Sequence, residues 1–418
     1  MELSRFFSDV GLRRKFTATE QLDNRKESNK KSRSIWLTGG MPNPTTFPIL
    51  DATFTLRDGQ ILTINKDLMA SALQYSASSG FPPLVKQLQE MSEELHHPPG
   101  GCERSVAVTL GSIHGLSMAF TQLLNPGDSV LLQEPCSIGV VNALNVIRAR
   151  IIPVTTGDQG LEPSQLREAL AKSASCPAKV IYLNPTANNP TGTTIDEASR
   201  REIYSIACEH DLIILEDDPY YFLHFCEKAL PSFLELDIEG RVVRFDSFSK
   251  TVSAGLRIGY VTGPKPLIER IVMDVMSTVL HASVLPQVML SEILRRWGLQ
   301  GYLHHGREVR DLYRERRDIM QCAAERHLTG LCEWRLASGG MFFWIKVLGL
   351  EDSRALVEEK AARRGVVAVP GCCFMVKEKD PCSYLRVSYS VVTPDEMDKA
   401  FKLLAKAIRE ETMESENI

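Results

Sequence analysis

Between residues 105 and 265 short apolar runs alternate with helical stretches, and this alternation leaves few architectures open. "SVLLQE" (129–134), "KVIYLN" (179–184), "LIILED" (212–217) and "RVVRFDSFS" (241–249) read as strands. Three of the four are nearly continuous apolar runs, the pattern of parallel strands covered on both faces. The segments between them have helical character. "DEASRREIYSIACEHD" (196–211), for example, carries acids in its first turn, where a helix dipole favours them. Strand–helix alternation predicts an α/β domain built on a mainly parallel sheet. After about residue 300 the text changes to long charged helices around "SGGMFFWIKV" (338–347), which predicts a smaller α+β domain. The expected division is an N-terminal arm over 1–35, a large domain over 36–300 whose N-terminal loop also serves the small lobe, and a small C-terminal domain over 301–418.

Charge and cysteine usage narrow the function classes. The net charge of -4 over 418 residues does not suit a general nucleic-acid binder. No apolar run reaches the length of a membrane span. Ten cysteines are scattered without a CxxC pair, which fits a reducing intracellular compartment rather than a disulfide framework. The arm is basic, with Arg13, Arg14, Lys15, Arg25, Lys26, Lys30, Lys31 and Arg33, but Glu2, Asp9, Glu20, Asp23 and Glu27 interrupt it. Transit peptides are poor in acids, so the arm leaves a cytoplasmic or a mitochondrial location open.

In open α/β sheets, ligands bind at the carboxyl ends of the strands. The chemically unusual residues of this chain fall at those ends. Gly111 and Ser112 open an apolar helix, whose first N–H groups and dipole make an anion site. Ser247 and Ser249 add hydroxyls, and Arg257 adds a bidentate cation. Taken alone, Gly-Ser at a helix start is an N-cap and a lysine is a surface group. Lys250, however, lies beside Arg257 at a strand end, where its amine form is favoured and free to condense with an aldehyde. "EDDPYY" offers Asp217 and Tyr220 three residues apart; alone it reads as an acidic turn. Pyridoxal phosphate needs such a carboxylate at its ring nitrogen and a donor near its ring oxygen, for which Tyr220 and Asn189 are candidates. His114 and Cys136 read as packing residues.

The ordered set "SFSKxxxxGLRIGY", "NNPTG", "EDDPYY" and "YLRVSYS" resembles the fold-type I pyridoxal-phosphate aminotransferases. More narrowly, "GGMPNPTTFP", "ALQYSASSGFPPL", "RVVRFDSFSK" and "TGPKPLIER" are similar to the kynurenine/α-aminoadipate aminotransferase group, from about residue 35 to the C-terminus. The resemblance implies that Lys250 holds the cofactor covalently and then moves the substrate's Cα proton. It assigns Asp217 to the ring nitrogen and Asn189 and Tyr220 to the ring oxygen. It assigns Ser112, Ile113, Ser247, Ser249 and Arg257 to the phosphate end, and Tyr75 to the phosphate of the other subunit of a homodimer. Arg386, with Asn189, takes the substrate carboxylate, and the loop of Gly40 closes over it. Donors would be L-2-aminoadipate, L-kynurenine or an aromatic amino acid. The acceptor would be 2-oxoglutarate, in a ping-pong reaction.

Two positions depart from the family pattern. Ser137, in "EPCSIGVV", stands where an aromatic residue usually stacks on the cofactor ring, and Ile113 replaces a usual polar phosphate contact. Loss of a ring contact corresponds to roughly 0.5–1.5 kcal/mol, about tenfold in cofactor affinity. A carbon–sulfur lyase on the same fold and a weakly active or inactive homologue are the alternatives. Dependence on an oxo acid separates the lyase, and failure to load cofactor marks the inactive form.

Overall fold

The computed structural model describes residues 2–15, 40–157 and 160–415. Its thirteen strands are β1 (Ala52–Thr55), β2 (Ile61–Ile64), β3 (Arg104–Thr109), β4 (Ser129–Glu134), β5 (Arg150–Thr155), β6 (Val180–Leu183), β7 (Ile213–Asp217), β8 (Val242–Ser247), β9 (Gly259–Pro264), β10 (Cys332–Trp334), β11 (Phe342–Val347), β12 (Val369–Pro370) and β13 (Tyr384–Ser388). Seven form one sheet in the order β3-β9-β8-β7-β6-β4-β5. Only β9 runs against its neighbours. The carboxyl ends of β3, β4, β6, β7 and β8 therefore lie along one edge, and the candidate residues of the large domain follow those ends.

Helices cover both faces of this sheet, which is why its central strands β4, β6, β7 and β8 begin as buried aliphatic runs. One core lies between the sheet and the helices Ser112–Leu123, Ile138–Val146 and Lys265–Thr278; a second lies under Pro163–Lys172 and Glu197–Glu209. Asp196 caps the last of these by accepting from the Ser199 amide at 2.8 Å, as its acid-rich start predicts. A separate core belongs to the antiparallel sheet β10-β11-β13-β12 and the helix Pro394–Ser415. The helix Val284–Leu328 leads into that sheet, and its course is broken at Gly298, where φ is +58° and ψ is -179°.

Residues 2–15 of the arm are docked on the large domain. Phe6 and Phe7 join the core beneath the helix Ser112–Leu123. Ser8 donates to the Thr121 carbonyl at 2.6 Å, and Arg14 pairs with buried Asp274 at 2.6 Å. Arg5 forks onto Asp211. Ion pairs with acids more than 200 positions away hold these two cations. The rest of the basic arm, 16–39, lies outside the described residues.

Candidate active site

Three consecutive acids end β7, and the pleat of the strand separates them. Side chains alternate across a sheet, so Glu216 and Asp218 share one face and Asp217 takes the other. Glu216 and Asp218 meet the fully buried Arg244 guanidinium at 2.9 and 3.2 Å, and Asp246 meets it at 2.9 Å. Glu216 also accepts the Phe233 amide at 2.9 Å. This buried network fixes the turn after β7 and leaves Asp217 for other work. One Asp217 oxygen, Oδ2, accepts from the Tyr182 hydroxyl at 2.8 Å. The other, Oδ1, is buried with no hydrogen-bond partner among the described residues. Burial pushes the Asp217 carboxyl up to about 7, helped by the Asp218 and Asp246 charges and opposed by the Tyr182 hydroxyl and the nearby Ser112 hydroxyl. An unpaired buried carboxylate oxygen is costly unless a cation or an N–H meets it. A protonated pyridine nitrogen has that character.

The anion end is built from backbone that side chains would block. Gly111, at φ +85°, turns β3 into the helix Ser112–Leu123; a Cβ there would lie 2.6 Å from Arg257 Nη2. Gly259 is equally restricted, since its Cβ would meet the Gly111 backbone at 2.9 Å and the Asp246 carbonyl at 2.7 Å. Arg257 itself sits in the left-handed region at φ 53°, unusual for a residue with a side chain. It donates to the Leu110 carbonyl at 3.1 Å and to Ser249 Oγ at 3.3 Å. The Ser249 amide donates to Ser247 Oγ at 3.2 Å. Ser112 is the first residue of the helix. Helix start, serines and guanidinium thus form one cationic cradle. For Gly111→Ala we expect the protein to fold and its dissociation constant for pyridoxal phosphate to rise at least about tenfold, read by absorbance titration.

Lys250 follows this cradle, its Nζ 6.0 Å from the centre of the Tyr220 ring. Burial lowers its ammonium pKa, and the Arg257 and Arg386 charges lower it further. Tyr220 is buried with its ring edge-on to Phe342. Arg386, on β13, donates to Asn189 Oδ1 at 2.8 Å. The Asn189 amide donates to Asn184 Oδ1 at 2.9 Å, and Asn184 Nδ2 donates to the Asp217 carbonyl at 2.8 Å. No carboxylate pairs with Arg386 among the described residues. One chain of contacts therefore runs from Arg386 to Asp217, and Lys250 feels the charges of both Arg257 and Arg386.

Two predicted residues lie outside this cluster. Tyr75 is exposed and edge-on to His281 at 5.9 Å. Gly40 is exposed, with nothing within 4 Å of where its Cβ would be. Ser137 opens the helix Ile138–Val146 without a side-chain cap bond, and Ile113, exposed, packs towards Gly139. Cys136 is buried, which pushes its thiol well up, and His114 accepts from the Leu110 amide at 3.3 Å. Sequence reasoning missed Tyr182, Asn184, Phe342 and Phe374. A tyrosine inside an aliphatic run needs a partner for its hydroxyl, and that signal marked Tyr182.

These features fit pyridoxal phosphate: an amine with a lowered pKa, an unpartnered carboxylate oxygen and a cationic cradle built on glycine. Comparison with known proteins agrees. Residues 61–404 match the family model described as aminotransferase class I and II. The chain is 40% identical to the mitochondrial kynurenine/alpha-aminoadipate aminotransferase of Bos taurus, over 98% of this chain and 100% of that one. A kynurenine aminotransferase of Pyrococcus horikoshii, solved in complex with PMP, is 31% identical over 98% of each chain, with TM-score 0.77. The alpha-aminoadipate aminotransferase LysN of Thermus thermophilus, complexed with N-(5'-phosphopyridoxyl)-L-leucine, is 28% identical with TM-score 0.73, over 81% of this chain and 84% of that one. The chain belongs to the class I and II aminotransferases and is a pyridoxal-phosphate-dependent transaminase.

Proposed function

We propose that this enzyme takes the amino group from L-2-aminoadipate, L-kynurenine or an aromatic amino acid and passes it to 2-oxoglutarate in two half-reactions. The observation that carries the reading is the buried, unpartnered Asp217 Oδ1, in the same contact network as Arg386. The names of the bovine, archaeal and bacterial relatives support the choice of donors. The bovine name also supports a mitochondrial location. Pyridoxal phosphate supplies an aldehyde carbon that exchanges for an amine, and a cationic ring that takes up electrons released at the donor Cα.

The chain's residues do the rest. Asp217 keeps the ring nitrogen protonated. Asn189 and Tyr220 orient the ring oxygen. Ser112, Ser247, Ser249 and Arg257 hold the phosphate, with Ile113 at its rim. Arg386 and Asn189 fix the donor carboxylate, which places the Cα hydrogen near Lys250. The Lys250 amine would take that proton and hold it at Nζ for return to the reacting framework, with bound pyridoxal phosphate as the electron sink. Tyr75 acts across a homodimer, which suits an exposed aromatic side chain, and the loop of Gly40 covers the donor. Residues 36–300 serve as the cofactor domain and 301–418 as the small domain.

The test is a donor panel with and without 2-oxoglutarate. Sustained turnover that requires the oxo acid supports the reading. Pyruvate and ammonia released from a sulfur amino acid without any oxo acid would replace it with the lyase. A separate expectation concerns Ser137, whose hydroxyl caps nothing. Ser137→Tyr should lower the dissociation constant for pyridoxal phosphate about tenfold, by fluorescence titration, at little cost in stability.

A further inference from the structure

The Arg386 guanidinium lies between two rings, 4.1 Å from the centre of Phe342 and 4.7 Å from that of Phe374. Phe342 reaches it because β11 and β13 pair Trp344 with Arg386, which makes Phe342 a diagonal neighbour on the same face. Phe374 comes from elsewhere, from the short turn Gly371–Phe374 that follows β12. We infer that Phe374 is a positioning residue for the reaction: with Phe342 it clamps Arg386 and fixes the plane in which the donor carboxylate is taken.

The physical argument has three parts. Arg386 is half-buried, and burial lowers its pKa, so something must offset the lost hydration. Aromatic faces on both sides do so through their negative quadrupoles. Rings on both faces also leave only the guanidinium edge for hydrogen bonds, and the edge is where a carboxylate binds through two parallel N–H groups. One position on that edge is held by Asn189 Oδ1 at 2.8 Å, which fixes rotation within the plane.

Phe374 is itself held firmly. It is 1% exposed, and Trp344 meets it edge-on at 5.5 Å. Its carbonyl accepts the Cys136 amide at 3.0 Å. Two residues on, the Val376 amide donates to Glu134 Oε1 at 2.7 Å. The clamp is therefore pinned to the end of β4, next to Ser137. A loop after the small sheet's edge strand ties the grip on the donor carboxylate to the turn that flanks the cofactor.

This inference rests on Arg386 being the carboxylate site, so the experiment separates the two. Four holoenzyme variants are compared with wild type on the best donor: Phe374→Leu, Phe374→Tyr, Phe342→Leu and Arg386→Lys. Phe374→Leu should raise KM for the donor about tenfold, with kcat within about threefold and the pyridoxal phosphate dissociation constant unchanged. Phe374→Tyr keeps a ring face and should restore the wild-type KM. Should Phe374→Leu fail to fold, Phe342→Leu, at a half-buried position, carries the same expectation. Equal losses in Phe374→Leu and Phe374→Tyr, or a parallel loss of cofactor affinity, would make Phe374 a plain core residue and overturn the clamp. If Arg386→Lys raises KM but neither leucine variant does, the clamp alone fails. If Arg386→Lys leaves KM unchanged, the carboxylate assignment fails and the clamp falls with it.

Discussion

Lys250→Ala should lower the transamination rate by about 10⁴-fold or more, with the fold intact. In the proposed reaction the residue has two jobs, holding the cofactor and moving the Cα proton, and neither has a substitute nearby. Arg257 and Arg386 are permanently charged and cannot act as bases. Tyr220 is buried and close to the Asp217 carboxylate, so its hydroxyl ionises only far above its ordinary value. Burial, with the neighbouring Arg257 and Arg386 charges, lowers the Lys250 ammonium pKa and keeps more of its amine in the reactive form. The check is the rate of oxo-acid formation from the best donor, together with the visible spectrum on adding pyridoxal phosphate. Wild type should show an absorbance band that the alanine variant lacks. Since Lys250 lies in a turn and makes no ion pair among the described residues, thermal unfolding of the variant without cofactor should shift by only a few degrees. A variant that keeps wild-type turnover would remove Lys250 from the mechanism.

Asp217→Asn should be nearly as damaging, about 10³-fold in kcat, because an amide cannot hold a proton on the ring nitrogen. Its pH signature is more specific. Burial raises the folded-state pKa of Asp217 to about 7, from an ordinary value of 3.8. For a group raised in this way, the stability it contributes is present below about pH 4 and is lost as pH rises through about 7. The protein without cofactor thus carries a penalty that grows between about pH 4 and pH 7 and is level above that, about 4 kcal/mol by this accounting. A cationic ring nitrogen held by Asp217, as proposed, would relieve it. The gain in melting temperature on adding pyridoxal phosphate should therefore be larger at pH 8 than at pH 5.5, and Asp217→Asn should abolish the difference. Equal gains in wild type at both pH values would show that Asp217 does not face the ring nitrogen.

Much of this was legible from residues close together in the chain. β4, β6, β7 and β8 could be read because burial on both faces forces continuous aliphatic runs. Lys250, Arg257 and the serines lie within one short segment, so their juxtaposition needed no tertiary knowledge. The acids of "EDDPYY" were only half legible. That Asp217 serves the site while its neighbours serve Arg244 follows from strand pleat, and the partner on β8 is visible only in the folded sheet. Tyr182 belongs to the site through the pairing of β6 with β7, and Phe374 through a loop with no periodic signal. The docking of Arg5 and Arg14 depends on acids that no local pattern connects to them.

The contacts that complete the crevice join distant parts of the chain. Arg257 reaches Leu110 across 147 positions, Arg386 reaches Asn189 across 197, and Val376 reaches Glu134 across 242. Loops of that length are entropically expensive to close, and their contacts form only once the segments between them are ordered. Strand pairing within the cofactor sheet can begin while the chain is still being made. The contact between Arg386 and Asn189 cannot exist before residue 386 has left the ribosome, so the chain acquires a sheet well before it acquires the crevice.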